Sequence, residues 1–274
     1  MEEIFVLRDG DPNAVSPAHG IYITFDSHGS TVFGRLILPA FYDADSRCPV
    51  VLMLHGHPGG DKNLDIAEAL RANGYAVAVF SYRGVWGSRG DYLLSHNIED
   101  VITAVNYLRQ IAGQHRIDPE KVFLFGHSMG GFSALNAIAN GLKVSGAVLM
   151  APYDAGYTYL YDRTNFDGVM ACKASGYFTL ASENALEEDA AAHAEQWNFR
   201  NLMAKLPKEL PYCFIDGKQD RTSKHMGPVV AEMQQAGFDV TYHLLDDGHM
   251  FPCHRASLAR IALTHFRTAE EKKL

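Results

Sequence analysis

The chain has 274 residues, 47% of them hydrophobic and 20% charged, enough apolar material to bury about 70–75% of its unfolded surface on folding. Disorder is thereby excluded as its main theme. Lys and Arg number 24 against 32 for Asp and Glu, a formal net charge of −8, so the long-range field repels nucleic acid and no nucleic-acid partner is expected.

Residues 21–25 (IYITF) and 32–38 (VFGRLIL), separated by the turn-rich DSHGST, predict a leading hairpin at a sheet edge. VVLMLHG at 50–56 is a continuous apolar run closed by glycine, the pattern of a strand buried on both faces. Runs of the same kind follow at 76–82, 121–126, 144–152, 211–217 and 239–245. Helix-length segments lie between and after them, at 62–73, 96–113, 129–141, 224–236 and 253–269. In the second of these, Val101, Ala104, Val105 and Leu108 form one stripe at helical spacing. The alternation predicts an α/β fold with a mostly parallel sheet and helices on both faces. The rhythm breaks between Tyr153 and Leu206, where no buried strand is apparent and aromatic residues crowd. An interval of this length is too long for a plain loop and reads as a mainly helical cap, residues 153–206, inserted in a single domain of 1–274.

No apolar run reaches the ~18–20 residues of a membrane helix, so no membrane span is expected. The opening MEEIFVLRDGDP has no basic stretch followed by an apolar one, and a cytoplasmic protein is expected. Cys48, Cys172, Cys213 and Cys253 are widely spaced, which indicates neither a zinc ribbon nor a disulfide frame. Nothing in composition or pattern speaks to oligomeric state.

Gly126-His127-Ser128-Met129-Gly130 follows an apolar strand and precedes a helix-like segment, the context a G-x-S-x-G nucleophile elbow requires. A serine hydroxyl is a weak nucleophile near neutrality and needs a base with a third group to orient it. His249 and Asp220 each follow a predicted strand and are the candidates. Asp216 competes as the acid because it ends the same strand as Asp220, and Asp246 or Asp247 could orient a neighbour. Acyl transfer also needs donors for the oxyanion. The backbone N–H groups of His57, in the turn His55-Gly56-His57-Pro58-Gly59-Gly60, and of Met129 are the expected pair. A metal site on His55 and His57 lacks nearby further ligands, and no metal or organic cofactor is implied. Arg83 could hold the oxyanion loop or pair with a carboxylate, the alternative being that it pins the backbone of a glycine-rich connecting loop. Trp86, Tyr157, Tyr159 and Trp197 are the candidate pocket residues, the alternative being that such rings pack only the cap's own core.

H-G-x-P-G-G, S-Y-R-G-x-x-G-S-x-G, G-H-S-M-G-G, Gly217 to Asp220 and Asp247-Gly248-His249 together resemble the α/β-hydrolase superfamily, over roughly residues 20–268. Tyr82–Gly90, the helix from Asp100 and Ile117–Lys121 are similar to the catalytic domain of the prolyl oligopeptidase and acylaminoacyl-peptidase group. The ~20 residues before the first strand cannot form that group's propeller, which makes compact esterases the nearer analogy. The resemblance implies a serine hydrolase with nucleophile Ser128, base His249 and orienting acid Asp220. A carboxylesterase acting on a small ester is the expectation, with a small peptidase or amidase acting on a short peptide as the alternative and a non-catalytic binding module last. For the peptidase alternative, Glu187 and Glu188 could grip a peptide amine.

Overall fold

The computed structural model describes residues 10–272; the opening nine residues, on which part of the signal-peptide reading rests, lie outside the described residues. Eight strands form one sheet in the order β1-β2-β4-β3-β5-β6-β7-β8. β1 (His19–Ser27) and β2 (Ser30–Leu38) make the expected hairpin at one edge, and β2 runs antiparallel to β4 (Ala76–Phe80). From β4 onward all pairings are parallel, through β3 (Cys48–Leu54), β5 (Ile117–His127), β6 (Gly146–Met150), β7 (Tyr212–Gly217) and β8 (Val240–Leu245).

Burial of both faces explains the apolar runs of β3 to β7; β8, expected to be the same, instead lies at the sheet edge with its residues half-buried or exposed. Along β3, Val50, Leu52 and Leu54 join one core and Val51 and Met53 the other, as the two-residue period of a strand requires. The first core is completed by α2 (Leu94–Ile111), α3 (Met129–Ala139) and α8 (Met226–Gln235), the second by α1 (Leu64–Ala72) and α9 (Arg255–Glu271). The predicted stripe Val101, Ala104, Val105 and Leu108 is buried, and each such aliphatic side chain of Val or Leu size contributes about 1.5–3 kcal/mol.

β5 begins four residues earlier than its apolar run, taking in Asp118-Pro119. Its register with β3 shifts between Cys48 and Val50, and an irregularity of that kind lets a strand accept a proline. Between β6 and β7 the chain forms α4 (Ala155–Tyr161), α5 (Arg163–Met170), a 3-10 turn (Ala171–Ser175), α6 (Ala185–Trp197), α7 (Phe199–Leu202) and a last 3-10 turn. Asp154, Asp162 and Asn198 cap α4, α5 and α7 through side-chain acceptors, which satisfies amides that a helix start leaves open. A strand-like contact ties this segment to the loop after β4: Phe178 bridges to Val85. Among the described residues no helix is long and apolar enough to cross a membrane.

Candidate active site

Ser128 stands where β5 ends and α3 begins. Its backbone is at φ +54°, ψ −115°, a conformation that costs a residue with a side chain about 1–3 kcal/mol and is kept only when its surroundings enforce it. They do: its N–H donates to Met150 O at 2.9 Å, and its carbonyl accepts from Gly131, Phe132 and Tyr153. A Cβ on Gly130 would collide with the carbonyl of Leu54, so only glycine lets α3 start this close to β3. Ser128 occupies the N-cap of α3 without capping it through its side chain. Its hydroxyl is therefore not spent on the helix.

Asp220 and His249 come together from the loops after β7 and β8. The loops are laced by backbone hydrogen bonds, Lys218 N to Leu245 O and Gln219 N to Asp247 O. His249 Nδ1 lies 2.8 Å from Asp220 Oδ2, and Asp220 also accepts from Thr222 N and Ser223 Oγ, both at 2.8 Å. Burial alone would raise the Asp220 pKa, but the His249 contact and these two donors outweigh it and hold the carboxyl at about 2. His249 thus has an ionised partner on Nδ1, which leaves Nε2 for proton transfer. Its ring sits beside that of His127, centroids 5.0 Å apart, and its carbonyl contacts His127 Nε2 at 3.1 Å. The base candidate is thereby docked against the residue preceding Ser128. Asp216 ends β7 with its carboxyl pushed up to about 7, chiefly by burial; its near neighbours are Tyr242 and Ser223. Asp247 serves its own loop, accepting from Gly248 N, Cys253 N and His254 Nδ1. Asp246 accepts from Gln219.

The turn after β3 passes close to Ser128: a Cβ built on Gly56 would lie 3.2 Å from Ser128 Cβ. The next residue is His57, joined to Pro58 by a cis peptide. Met129 is the first residue of α3, and the first amides of a helix have no intrahelical acceptor. The two expected oxyanion donors thus belong to the residue after Gly56 and to the residue after Ser128. His55 turns Nδ1 to Gly56 O and packs on Tyr82, whereas His57 turns Nδ1 to Tyr92. Among the described residues no group of three or more His, Cys, Asp or Glu could hold a metal ion.

The four candidate pocket residues are scattered. Trp86 is exposed, stacks on Tyr177 at 4.7 Å and donates from Nε1 to Pro58 O at 2.7 Å, so it abuts the turn after β3. Beside it opens a cavity of about 520 Å³ lined by Trp86, Arg89, Tyr177 and Thr179 among others. Tyr157 stacks on His225, and Tyr159 packs on Phe166 beneath the Arg163 guanidinium. Trp197 requires a correction: at 2% exposure it lies in the core between Phe132 and His193, since its large apolar area is best spent joining α6 to α3. Glu187 is paired with Arg163 at 3.0 Å on the surface, which occupies the carboxylate suggested as an amine grip. Arg83 pins its loop as expected, pairing with buried Asp100 at 2.7 Å, while Asp100 also accepts from Ser27.

Sequence reasoning missed three neighbours of the site. His127 supports the His249 loop, and Tyr92 and Phe178 enclose the His57 ring. The x of G-x-S-x-G carries no pattern of its own, and Phe178 lies in a segment without periodicity.

A sequence profile of the alpha/beta hydrolase family matches residues 51–259. The quorum-quenching protein AidA of Acinetobacter baumannii is 28% identical over 149 residues, 52% of this chain and 47% of that protein. The matched stretches span less than half the length of this and other curated relatives. Esterase B from Lactobacillus rhamnosis superposes with a TM-score of 0.70 at 18% identity, over 95% of this chain and 91% of its own. Acylaminoacyl peptidase from Pyrococcus horikoshii superposes with a TM-score of 0.70 at 15% identity, over 92% of this chain and 42% of its own. At such identities the likeness is one of fold.

Proposed function

The chain belongs to the alpha/beta hydrolase family, and on that premise we propose that it is a serine hydrolase cleaving small carboxylic esters. The observation that carries the reading is the elbow: a serine at positive φ, free of capping duty, with the Asp220–His249 pair docked beside its strand end.

In this reading Ser128 Oγ attacks the ester carbonyl carbon as His249 Nε2 takes the hydroxyl proton. Asp220 holds the Nδ1–H tautomer and stabilises the imidazolium that forms. The N–H groups of His57 and Met129 receive the oxyanion. Collapse expels the alcohol with the proton from His249, and water, activated by the same base, releases the acid and restores Ser128. Residues 153–206 serve as the cap of a single domain, and Trp86 forms a wall of the substrate cleft. The superposition on an esterase with a TM-score of 0.70 supports an ester as substrate, and the equal TM-score on a peptidase keeps a short peptide as the alternative. The four unpaired cysteines support a cytoplasmic setting.

The test is intact-mass analysis after incubation with a fluorophosphonate, with peptide mapping and the variants Ser128→Ala and His249→Ala. A single adduct on Ser128, lost in both variants, is expected; an adduct elsewhere, or none on folded protein, refutes the assignment. Matched aminoacyl esters and amides then decide between esterase and amidase.

A further inference from the structure

The turn after β3 offers a side chain as well as backbone. His57 stacks on Phe178 with ring centroids 4.6 Å apart and planes at 19°, and leans on Tyr92 at 5.5 Å. Its Nδ1 is 3.0 Å from the Tyr92 hydroxyl, which in turn accepts from Asn97 Nδ2 at 2.9 Å. A phenol oxygen receiving an amide hydrogen has its own hydrogen to donate, and Nδ1 is the acceptor it faces. Burial keeps the His57 imidazole neutral, its pKa pushed down to about 4. A neutral imidazole accepting on Nδ1 carries its proton on Nε2.

That Nε2 is buried and has no hydrogen-bond partner. A buried donor left unmatched costs about 1–3 kcal/mol, and this one belongs to the residue next to Gly56, which rides on Ser128 Cβ. The neighbouring imidazoles each bond through one nitrogen, His55 Nδ1 to Gly56 O and His127 Nε2 to His249 O, and their other nitrogens, His55 Nε2 and His127 Nδ1, are buried without a partner as well; of the three, only His57 has its bonded nitrogen facing a hydroxyl that can donate. The enclosure is also fixed: Thr179 N donates to Gly84 O and Tyr92 N to Thr179 O, both at 2.8 Å, which clamps Phe178 over the ring.

We propose that His57 Nε2–H is a third oxyanion donor, a side-chain group acting beside the backbone N–H groups of His57 and Met129. Tyr92 and Asn97 are positioning residues that set its tautomer. The inference rests on Ser128 being the nucleophile. As the Ser128 Oγ–carbon bond forms, the carbonyl π pair moves onto oxygen, which accepts Nε2–H without taking the proton. On collapse the pair returns, the ester C–O bond breaks, and the alcohol leaves with the proton His249 had taken. His57 ends each cycle unchanged.

Three variants separate donor from packing. His57→Phe keeps the stack on Phe178 and removes the donor; His57→Gln keeps an N–H near the Nε2 position; Tyr92→Phe releases the tautomer. With a short-chain nitrophenyl ester, His57→Phe is expected to lose about a hundredfold in kcat with little change in KM, the size of an oxyanion-donor loss. His57→Gln should recover most of it, and Tyr92→Phe should fall several-fold. In ¹⁵N-histidine-labelled protein, His57 should show the Nε2–H tautomer from pH 8 to 5, in the wild type only. Unchanged kcat in His57→Phe, equal losses in His57→Phe and His57→Gln, or an Nδ1–H tautomer would each overturn the proposal, and the tautomer readout stands if His57→Phe does not fold. Ser128→Ala is run alongside: if it hydrolyses the ester like wild type, the nucleophile reading falls and takes this one with it. An inactive Ser128→Ala with a fully active His57→Phe removes only the role of His57.

Discussion

Two aspartate–histidine pairs lie near the ends of β7 and β8, and their contact geometry is almost the same: Asp220 with His249 at 2.8 Å and Asp247 with His254 at 2.9 Å. They differ in what else each aspartate holds. Asp247 takes two backbone amides, Gly248 and Cys253, from the loop that follows β8, so its charge closes that loop on itself. Asp220 takes one amide and one hydroxyl from its own loop and reaches across to the next. The histidines differ as well, because His249 is docked against His127, next to Ser128, whereas His254 is the N-cap residue of α9. What separates the two pairs is therefore placement: of the two histidines, His249 is the one docked beside the residue preceding Ser128, and on the proposed function that placement assigns the catalytic role.

The strongest way to break the comparison is to remove the histidines one at a time. His249→Ala, like Ser128→Ala, should lower kcat on a short-chain ester by several powers of ten, whereas His254→Ala should cost less than about tenfold. Equal losses in the two histidine variants would erase the distinction.

The aspartates come next. Asp220→Asn should cost about three to four powers of ten in kcat, the effect of losing the acid that holds a catalytic imidazole. Asp247→Asn should change kcat by about tenfold or less but lower stability by about 1–3 kcal/mol, since two amides lose a charged acceptor. Urea unfolding beside steady-state kinetics separates the two effects, and an Asp247→Asn protein of full stability would contradict the loop-closing role.

A third aspartate sharpens the contrast through pH. Asp216 shares the end of β7 with Tyr242, Ser223, Asp220 and His249 about it, and burial raises its pKa to about 7. With an unfolded value of about 3.9, the folded state binds the proton more tightly, so this group's stabilisation is complete below pH ~4 and is lost as pH rises through about 7. The Tm of the wild type should therefore fall between pH 5 and 8 relative to that of Asp216→Asn. Parallel Tm profiles would contradict a buried, proton-holding Asp216.

How much of this was legible depended on whether a residue's role is set locally. The buried strands could be read because a strand covered on both faces has no polar alternation to blur it, and the stripe on α2 because a helix face repeats. Asp220 could be preferred to Asp216 since a loop residue can turn toward a neighbouring loop while a strand residue is held by its register. Trp197 was misplaced because an aromatic ring in an aperiodic segment suits a core and a pocket equally, and only the meeting of α6 with α3 decides. The environment of His57 was invisible for a related reason: Tyr92, Asn97 and Phe178 reach it from two distant stretches of chain.

The smallest expected effect concerns Ser223, whose hydroxyl donates to Asp220 Oδ2 at 2.8 Å from a buried position. In Ser223→Ala the carboxylate keeps His249 and the Thr222 amide, so kcat should fall only a few-fold with KM unchanged. The lost hydrogen bond should lift the Asp220 pKa from about 2 toward the ordinary range. A depressed carboxyl pKa contributes stability that is present above the unfolded value of about 3.9 and disappears as pH falls through the folded value. Ser223→Ala should therefore be less stable than wild type by about 1.5–3 kcal/mol near neutral pH, the range for a hydrogen bond to a charged group. That difference should shrink between pH 4 and 2, while an Asp247→Ala comparison traces a separate titration. A stability loss that stayed constant down to pH 2 would mean that Ser223 packs the loop rather than holding the charge of Asp220.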